Sequence, residues 1–146
     1  MQPVVVDVAL AKELGCAGGT RWLRISSLRM DGDRRGLPGL PIGWTDVYVD
    51  PSCADIGEQV RASPQTLVST LIEQRYGRRI ARIRQEIRAM AVPEALAGEL
   101  RVEPGSAALQ VRRSYFDAAG EAVEITLSVH PQDRFTFAME LNRSRE

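Results

Sequence analysis

The sequence has few of the residues that mark metal, redox or triad chemistry. Among 146 residues there are two cysteines, Cys16 and Cys53, and one histidine, His130. The cysteines lie far apart and have no paired spacing, so neither a zinc site nor a redox motif is predicted. Two free thiols fit a reducing cytosol, and no Ser, Cys or acid triad can be built around the histidine. We therefore expect no metal, no cofactor and no catalytic residue.

The chain also lacks an excess of either charge and any long apolar run. It carries 19 basic and 19 acidic side chains, whereas phosphate binding depends on excess Lys and Arg. No stretch approaches the length of a membrane span, and the start, Met1 to Val4, lacks the pattern of a signal peptide. The sequence predicts a cytoplasmic protein with no membrane partner, whose own surface does not bind DNA.

Hydrophobic periodicity predicts one α+β domain, an antiparallel sheet with flanking helices. The predicted helices span residues 7–14, 64–76 and 93–100, and the predicted strands span residues 20–30, 42–49, 78–90, 107–116, 122–129 and 135–141. Ser63 and Pro64 are typical of a helix start, and Gly77 of a helix end. The strand at 78–90 alternates apolar and charged residues, which predicts one buried and one polar face.

Five stretches in this order resemble one family, the UTRA domain of HutC-type GntR transcription regulators. They are WLRI at 22–25, LPIGWTDVYV at 40–49, LVSTLIEQRYG at 67–77, LQVRRSYFD at 109–117 and HPQDRF at 130–135. The clearest match is the fourth, and together the stretches cover the chain from about Leu14 to Arg143.

The resemblance implies a chorismate-lyase-like fold and a division of the chain. Residues 1–14 would be a remnant of a linker and a short helix, and residues 15–146 the effector-binding and dimerisation domain. Full-length relatives carry a winged helix-turn-helix ahead of this domain, and we expect that module to be absent from this chain. DNA would then be bound only through the absent N-terminal domain, and the protein would be a homodimer.

Arg113 is the most informative candidate for a ligand contact. It alternates in line with Leu109 and Val111, and an arginine among apolar residues is expensive to bury without a partner. A carboxylate or phosphate would supply that partner bidentately. An internal salt bridge, or a place at the edge of the sheet, would equally satisfy it. The resemblance implies that an arginine of this strand holds the effector's anionic group.

Glu124, Thr126 and Ser128 share one face of the following strand, where the resemblance implies effector contacts; a solvated face is the alternative. A four-residue hairpin loop would place Arg113 opposite Glu124, and a three-residue bulged loop would place it opposite Ile125. A shift of one residue exchanges the two faces of a strand.

Ser63 is a further candidate, because the free amides of a first helical turn bind anions. It is equally explained as a helix cap. Arginines between residues 75 and 88 are explained by a solvated or inter-subunit face. The predicted effector-binding residues are Arg113, Ser63, Glu124, Thr126, Tyr115 and Ser128.

These observations predict a sensor that binds a small anionic metabolite and controls DNA binding by another domain, as a repressor relieved by its ligand. Two alternatives stay open. A chorismate-lyase-like enzyme would use Arg113 and Glu124 to grip a carboxylate and protonate a leaving group. A dimerisation module without a ligand would need neither residue.

Overall fold

In the computed structural model, the described residues are 2–5, 8–16, 18–19, 21–30 and 39–144, with side chains described from residue 10 onward. Six strands form one sheet: β1 (Gln2–Val5), β2 (Arg21–Met30), β3 (Pro41–Val49), β4 (Ile80–Ala91), β5 (Ala107–Asp117) and β6 (Ala122–Pro131). Four α-helices accompany it: α1 (Val8–Leu14), α2 (Gly57–Ala62), α3 (Val68–Tyr76) and α4 (Glu94–Leu100), with a 3-10 segment at Pro51–Ile56. No helix within the described ranges is long and apolar enough to cross a membrane.

The sheet is antiparallel throughout, with strand order β1-β2-β3-β6-β5-β4. The predicted α+β class, with an antiparallel sheet and flanking helices, is therefore confirmed. β1 was not predicted, and it pairs antiparallel with β2.

Helices cover the two sides of the sheet unequally. We call one side the α3 face, because Leu71 and Ile72 of α3 pack there with Val49 of β3. We call the other the α1 face, where Leu14 of α1 packs against Ile125 of β6. α4 joins a third cluster, which includes Ala97, Leu100, Ala108 and Val129.

The predicted start of the long helix at Ser63 is wrong. The N–H of Ser63 donates to the carbonyl of Gln59 at 2.9 Å, so Ser63 ends α2. The N–H of Thr66 then donates to the carbonyl of Ser63 at 3.0 Å, which closes a turn. Serine followed by proline starts a β-turn as readily as a helix. The predicted helix end is confirmed, since Gly77 caps α3 with a φ of 65°.

The buried face predicted for residues 78–90 is also wrong. β4 lies at the sheet edge, and most of its side chains are exposed on both faces. Ile83 is 55% exposed and Ile87 is 37% exposed. The alternation of apolar and charged residues is present, but the α2 and α3 layer packs over β2 and β3 and leaves β4 uncovered.

The strand predicted at residues 135–141 is not formed. Phe137, Met139 and Leu141 keep a period of two, yet Met139 is 69% exposed and Leu141 is 81% exposed. A strand needs a neighbour to bond its backbone groups, and the described part of the chain pairs none with this segment. The Gly, Pro and Asp residues between 31 and 39 predict a loop, and residues 31–38 lie outside the described residues.

Candidate functional site

The hairpin between β5 and β6 sets which side chains face each other. Its closing pair is Asp117 and Glu121, with the N–H of Asp117 donating to the carbonyl of Glu121 at 2.9 Å. The register then passes from Phe116 opposite Ala122 to Tyr115 opposite Glu124, so Val123 is an extra residue in β6. Such a bulge shifts all later pairs by one position.

Arg113 therefore lies opposite Thr126, and both registers predicted from the sequence are wrong. The loop itself has three residues, but the bulge at Val123 adds a further shift that the loop length does not reveal. This second shift returns Glu124 to the same face as Arg113. Opposite residues of an antiparallel pair share a face, and so do alternate residues of one strand.

Five of the six predicted site residues are thus brought together on the α3 face of two neighbouring strands. They are Arg113, Tyr115, Glu124, Thr126 and Ser128. The sixth, Ser63, lies on the connection between α2 and α3 instead of at a helix N-terminus, so the predicted anion site of free first-turn amides is not formed there.

Arg113 has no acidic partner. Its side chain is exposed, and its Nε–H donates to Oε1 of Gln85, which lies opposite on β4, at 2.5 Å. Among the described residues, no carboxylate forms an ion pair with this guanidinium. The described residues therefore do not supply the internal salt bridge considered from the sequence, and they leave this cation without a carboxylate.

In contrast to the exposed Arg113, Glu124 is buried, and one of its carboxyl oxygens lacks a hydrogen-bond partner among the described residues. Only 3% of the residue is exposed, and its Oε1 has no hydrogen-bond partner among the described residues. Burial raises the pKa of the Glu124 carboxyl to about 8, from an ordinary value of 4.5. A carboxylate is costly to bury unpaired, so the group holds its proton near neutral pH.

Hydroxyl groups surround these two residues. Tyr115 is buried opposite Glu124, and burial raises the pKa of its phenol, an effect that the Glu124 charge increases and Arg113 opposes. The hydroxyls of Thr45 on β3 and Ser128 lie 2.8 Å apart. Together these side chains offer donors and acceptors for neutral polar groups beside one cation and one acid.

Sequence reasoning missed two residues on this face. Gln85 holds the Arg113 side chain, and Thr45 pairs with Ser128. Both lie on strands that the periodicity identified, but which strands become neighbours is a tertiary property. Alternation along each strand could have assigned them a face, although not a partner.

The ring of His130 is held by contacts within the protein. Its Nδ1 lies 2.8 Å from the carbonyl oxygen of Ile42, and its ring stacks on Phe135 at a centroid distance of 3.8 Å. Burial lowers the pKa of this imidazole. The described residues contain no group of three or more His, Cys, Asp or Glu side chains that could hold a metal ion.

The arginines between residues 75 and 88 are exposed, except that Arg78 is partly buried. Its Nη2 donates to Asp117 at 2.8 Å and its Nη1 to the hydroxyl of Ser52 at 2.5 Å. Arg82 lies over the ring of Phe116, 4.1 Å from its centroid. These contacts stabilise the hairpin and its neighbours.

A shallow surface cleft on the 3-10 segment and α2 contains none of the predicted site residues. Two of its charged groups pair with each other, since Nη2 of Arg75 lies 2.6 Å from Asp55. It is lined by Leu23, Ala54, Asp55, Gly57, Glu58, Arg61 and Arg75.

Comparison with known proteins identifies the class. The model of the UTRA domain family matches residues 1–136. A proposed transcriptional regulator from Streptomyces coelicolor is 27% identical, with a TM-score of 0.78 over 98% of this chain and 90% of that one. A GntR-family regulator from Enterococcus faecalis is 20% identical, with a TM-score of 0.75 over 96% and 95%. No curated protein sequence matches the chain.

The fold is also that of PhnF from Mycobacterium smegmatis, at 18% identity. The effector domain of PhnF gives a TM-score of 0.68 over 97% of this chain and 83% of that one. In the structure of PhnF itself, the TM-score is 0.73 over 98% of this chain and 60% of that one. Family and fold together define an effector-binding regulatory domain of a transcription regulator. The chain belongs to the UTRA domain family.

Proposed function

We propose that this chain is the effector-binding and dimerisation domain of a HutC-type GntR regulator, and that it binds a small anionic metabolite through Arg113. The observation that carries the proposal is the exposed Arg113 guanidinium, which has no carboxylate partner among the described residues and lies on the same face as the buried Glu124. A bidentate anion would satisfy Arg113, with Tyr115 and Thr126 as neighbouring donors.

In a full-length protein that includes this domain, an N-terminal winged helix-turn-helix would bind the operator DNA in the cytoplasm. The effector would favour one arrangement of the dimer over another and so alter the spacing of the two DNA-reading heads. Repression relieved by the ligand is the mode we propose. A signal requires the ligand to bind the two arrangements with different affinity.

We infer that the dimer forms through β4. This strand is an unpaired edge of 12 residues, with Ile83 and Ile87 exposed on the α3 face. Long exposed edges with apolar side chains pair with other chains unless they are protected. A second copy, meeting the first strand edge to strand edge, would cover both isoleucines.

One observation favours an enzyme as the second candidate. A chorismate-lyase-like reaction needs an acid that protonates a departing group beside an arginine that holds a carboxylate. The protonated Glu124 and Arg113 have these properties. The family and the structural neighbours are regulator domains, so binding without turnover is the function we propose. Loss of chorismate absorbance in the presence of the protein would favour the enzyme.

A thermal-shift screen tests the sensor. The purified chain is heated with carboxylates, imidazole acids, sugar phosphates and phosphonates. A ligand at about 100 times its Kd stabilises a fold by ~2.7 kcal/mol, which for a domain of this size raises Tm by roughly 5–15 °C.

Arg113→Ala removes the proposed anion contact and should abolish the shift. Arg143→Ala, at an exposed arginine outside both the candidate site and β4, is the control and should retain it. A panel in which no compound raises Tm, or a ligand that binds Arg113→Ala unchanged, would contradict the proposed site.

A further inference from the structure

Arg113 is a cation and Glu124 is a buried acid, and the two share a face of the sheet without pairing among the described residues. Glu124 is two residues from Thr126, the partner of Arg113, so the two lie diagonally across the β5–β6 ladder. Such diagonal neighbours are roughly 7–8 Å apart at the backbone, within reach of two long side chains. Nevertheless, no ion pair joins them among the described residues. Arg113 instead bonds Gln85.

The Glu124 side chain distinguishes this site, because acidic side chains are rarely buried this fully without a partner. Its Oε1 is without a partner and the residue is 3% exposed. Neutral polar groups of a ligand can already bond the hydroxyls of Tyr115, Thr126 and Ser128. Asp117, at the end of β5 on the same face, is already paired with Arg78, so among the described residues Glu124 is the acid of this face that a ligand can pair with. A charge-assisted hydrogen bond is about twice as strong as a neutral one.

We propose that the effector is a zwitterion of the amino-acid class, whose anionic group binds Arg113 and whose protonated amine binds Glu124. The inference rests on the proposed function and names the ligand class of the same site. A purely anionic ligand would leave Oε1 of Glu124 unsatisfied, and a purely cationic one would leave the Arg113 guanidinium without an anion. A zwitterion satisfies both with one molecule.

Binding of a zwitterion should release the carboxyl proton of Glu124 to the solvent, and this release can be measured. In the free protein Glu124 carries a proton at pH 7, since burial holds its pKa at about 8. An ammonium group beside it favours the ionised form, so the carboxyl proton passes to the solvent. The titratable groups facing Glu124 are Tyr115 and Arg113 of β5. From β3 it meets the apolar Val49, which packs with the apolar Leu71 and Ile72 of α3.

The first experiment compares matched ligands on the purified chain. Each of the twenty common L-α-amino acids is tested by thermal shift with its deaminated acid and its decarboxylated amine. At least one amino acid should raise Tm and bind at least ten times more tightly than both of its singly charged analogues. Calorimetry at pH 7 in phosphate and in Tris should then detect release of nearly one proton on binding.

The second experiment uses Glu124→Gln, which preserves the shape of the side chain and resembles its protonated state. The variant should fold, bind the amino acid and its deaminated analogue with equal affinity, and release no proton. Glu99→Gln, on the exposed face of α4, is the control and should behave as the wild type.

Three results would overturn the inference while leaving the proposed function intact. The first is a deaminated acid or another anion that binds as tightly as any amino acid. The second is an amino acid that binds without proton release and equally well to Glu124→Gln. The third is a panel in which other anions bind but no amino acid does. The proposed function itself fails if the broader anion panel is silent as well, or if its ligand binds Arg113→Ala unchanged.

Discussion

Arg112 and Arg113 are consecutive residues of β5, and their side chains lie on opposite faces of the sheet. Arg113 lies on the α3 face, bonded to Gln85. Arg112 lies on the α1 face, where Nη1 donates to the carbonyl oxygen of Glu13 at 2.8 Å and Nη2 pairs with Glu86. The strand therefore links the candidate ligand site directly to the C-terminal end of α1.

The Arg112 contact should contribute measurably to stability. It supplies a donor to a carbonyl in the last turn of α1, where backbone acceptors have no partner within the helix. We expect Arg112→Ala to lower the free energy of unfolding by about 1–3 kcal/mol, the range for losing a hydrogen bond to a charged group. Urea unfolding measures the change. Arg143→Ala, whose side chain is exposed outside β4, should change it by less than about 0.5 kcal/mol; equal effects would contradict the proposed role of Arg112.

Glu124 should make stability depend on pH in a defined direction. Its pKa is about 8 in the folded protein and near 4.5 when unperturbed. The folded state therefore binds the proton more tightly, so the stabilisation is fully present below pH 4.5 and is lost as pH rises through 8. We expect wild type to lose on the order of a few kcal/mol over this window relative to Glu124→Gln. Denaturant unfolding at pH 5, 7 and 9 measures it, and parallel curves for the two proteins would contradict it.

Gly43 and Gly98 should respond to alanine with opposite signs. A Cβ on Gly43 would overlap Nδ1 of His130, which is held against Ile42 and Phe135. Gly98 lies inside α4, and a Cβ there meets nothing within 4 Å. Gly43→Ala should destabilise by about 1–3 kcal/mol through overpacking, and Gly98→Ala should stabilise by about 0.5–1 kcal/mol. Thermal unfolding compares the two, and a neutral Gly43→Ala would show that His130 can move.

The β4 interface can be tested by charge. Ile83→Lys places a cation at the centre of the proposed apolar contact and should convert a dimer into a 16.1 kDa monomer in sedimentation velocity. Leu67→Lys, at an even more exposed apolar residue on the α2–α3 connection, should stay dimeric. A wild-type protein that sediments as a monomer, or an Ile83→Lys variant that remains a dimer, would exclude this interface.

Much of the secondary structure could be predicted from local sequence. Strands at β2, β3, β5 and β6 and a helix at α4 follow the predicted ranges within one or two residues. Gly77 stops α3 because glycine adopts a positive φ without strain, which is a property of the residue itself. The alternation on β6 likewise places Glu124, Thr126 and Ser128 together on one face, because the side chains of a strand alternate with a period of two.

Other features depend on which elements become neighbours. Ser63 and Pro64 fit a turn and a helix start equally well. In the structure they form a turn, because the preceding helix α2 ends at Ser63. The apolar alternation of β4 and of residues 135–141 predicts strands, but only the tertiary structure placed the first at an exposed edge and left the second unpaired.

The sequence by itself therefore determined the class of fold, most of its elements and the chemical types in the candidate site, since these follow from periodicity and residue chemistry. The tertiary structure alone decided how that site is assembled. The extra residue Val123 in β6 sets Arg113 opposite Thr126, and burial beneath the α3 layer keeps Glu124 protonated. Register and desolvation arise from contacts between distant segments, so no local pattern encodes them.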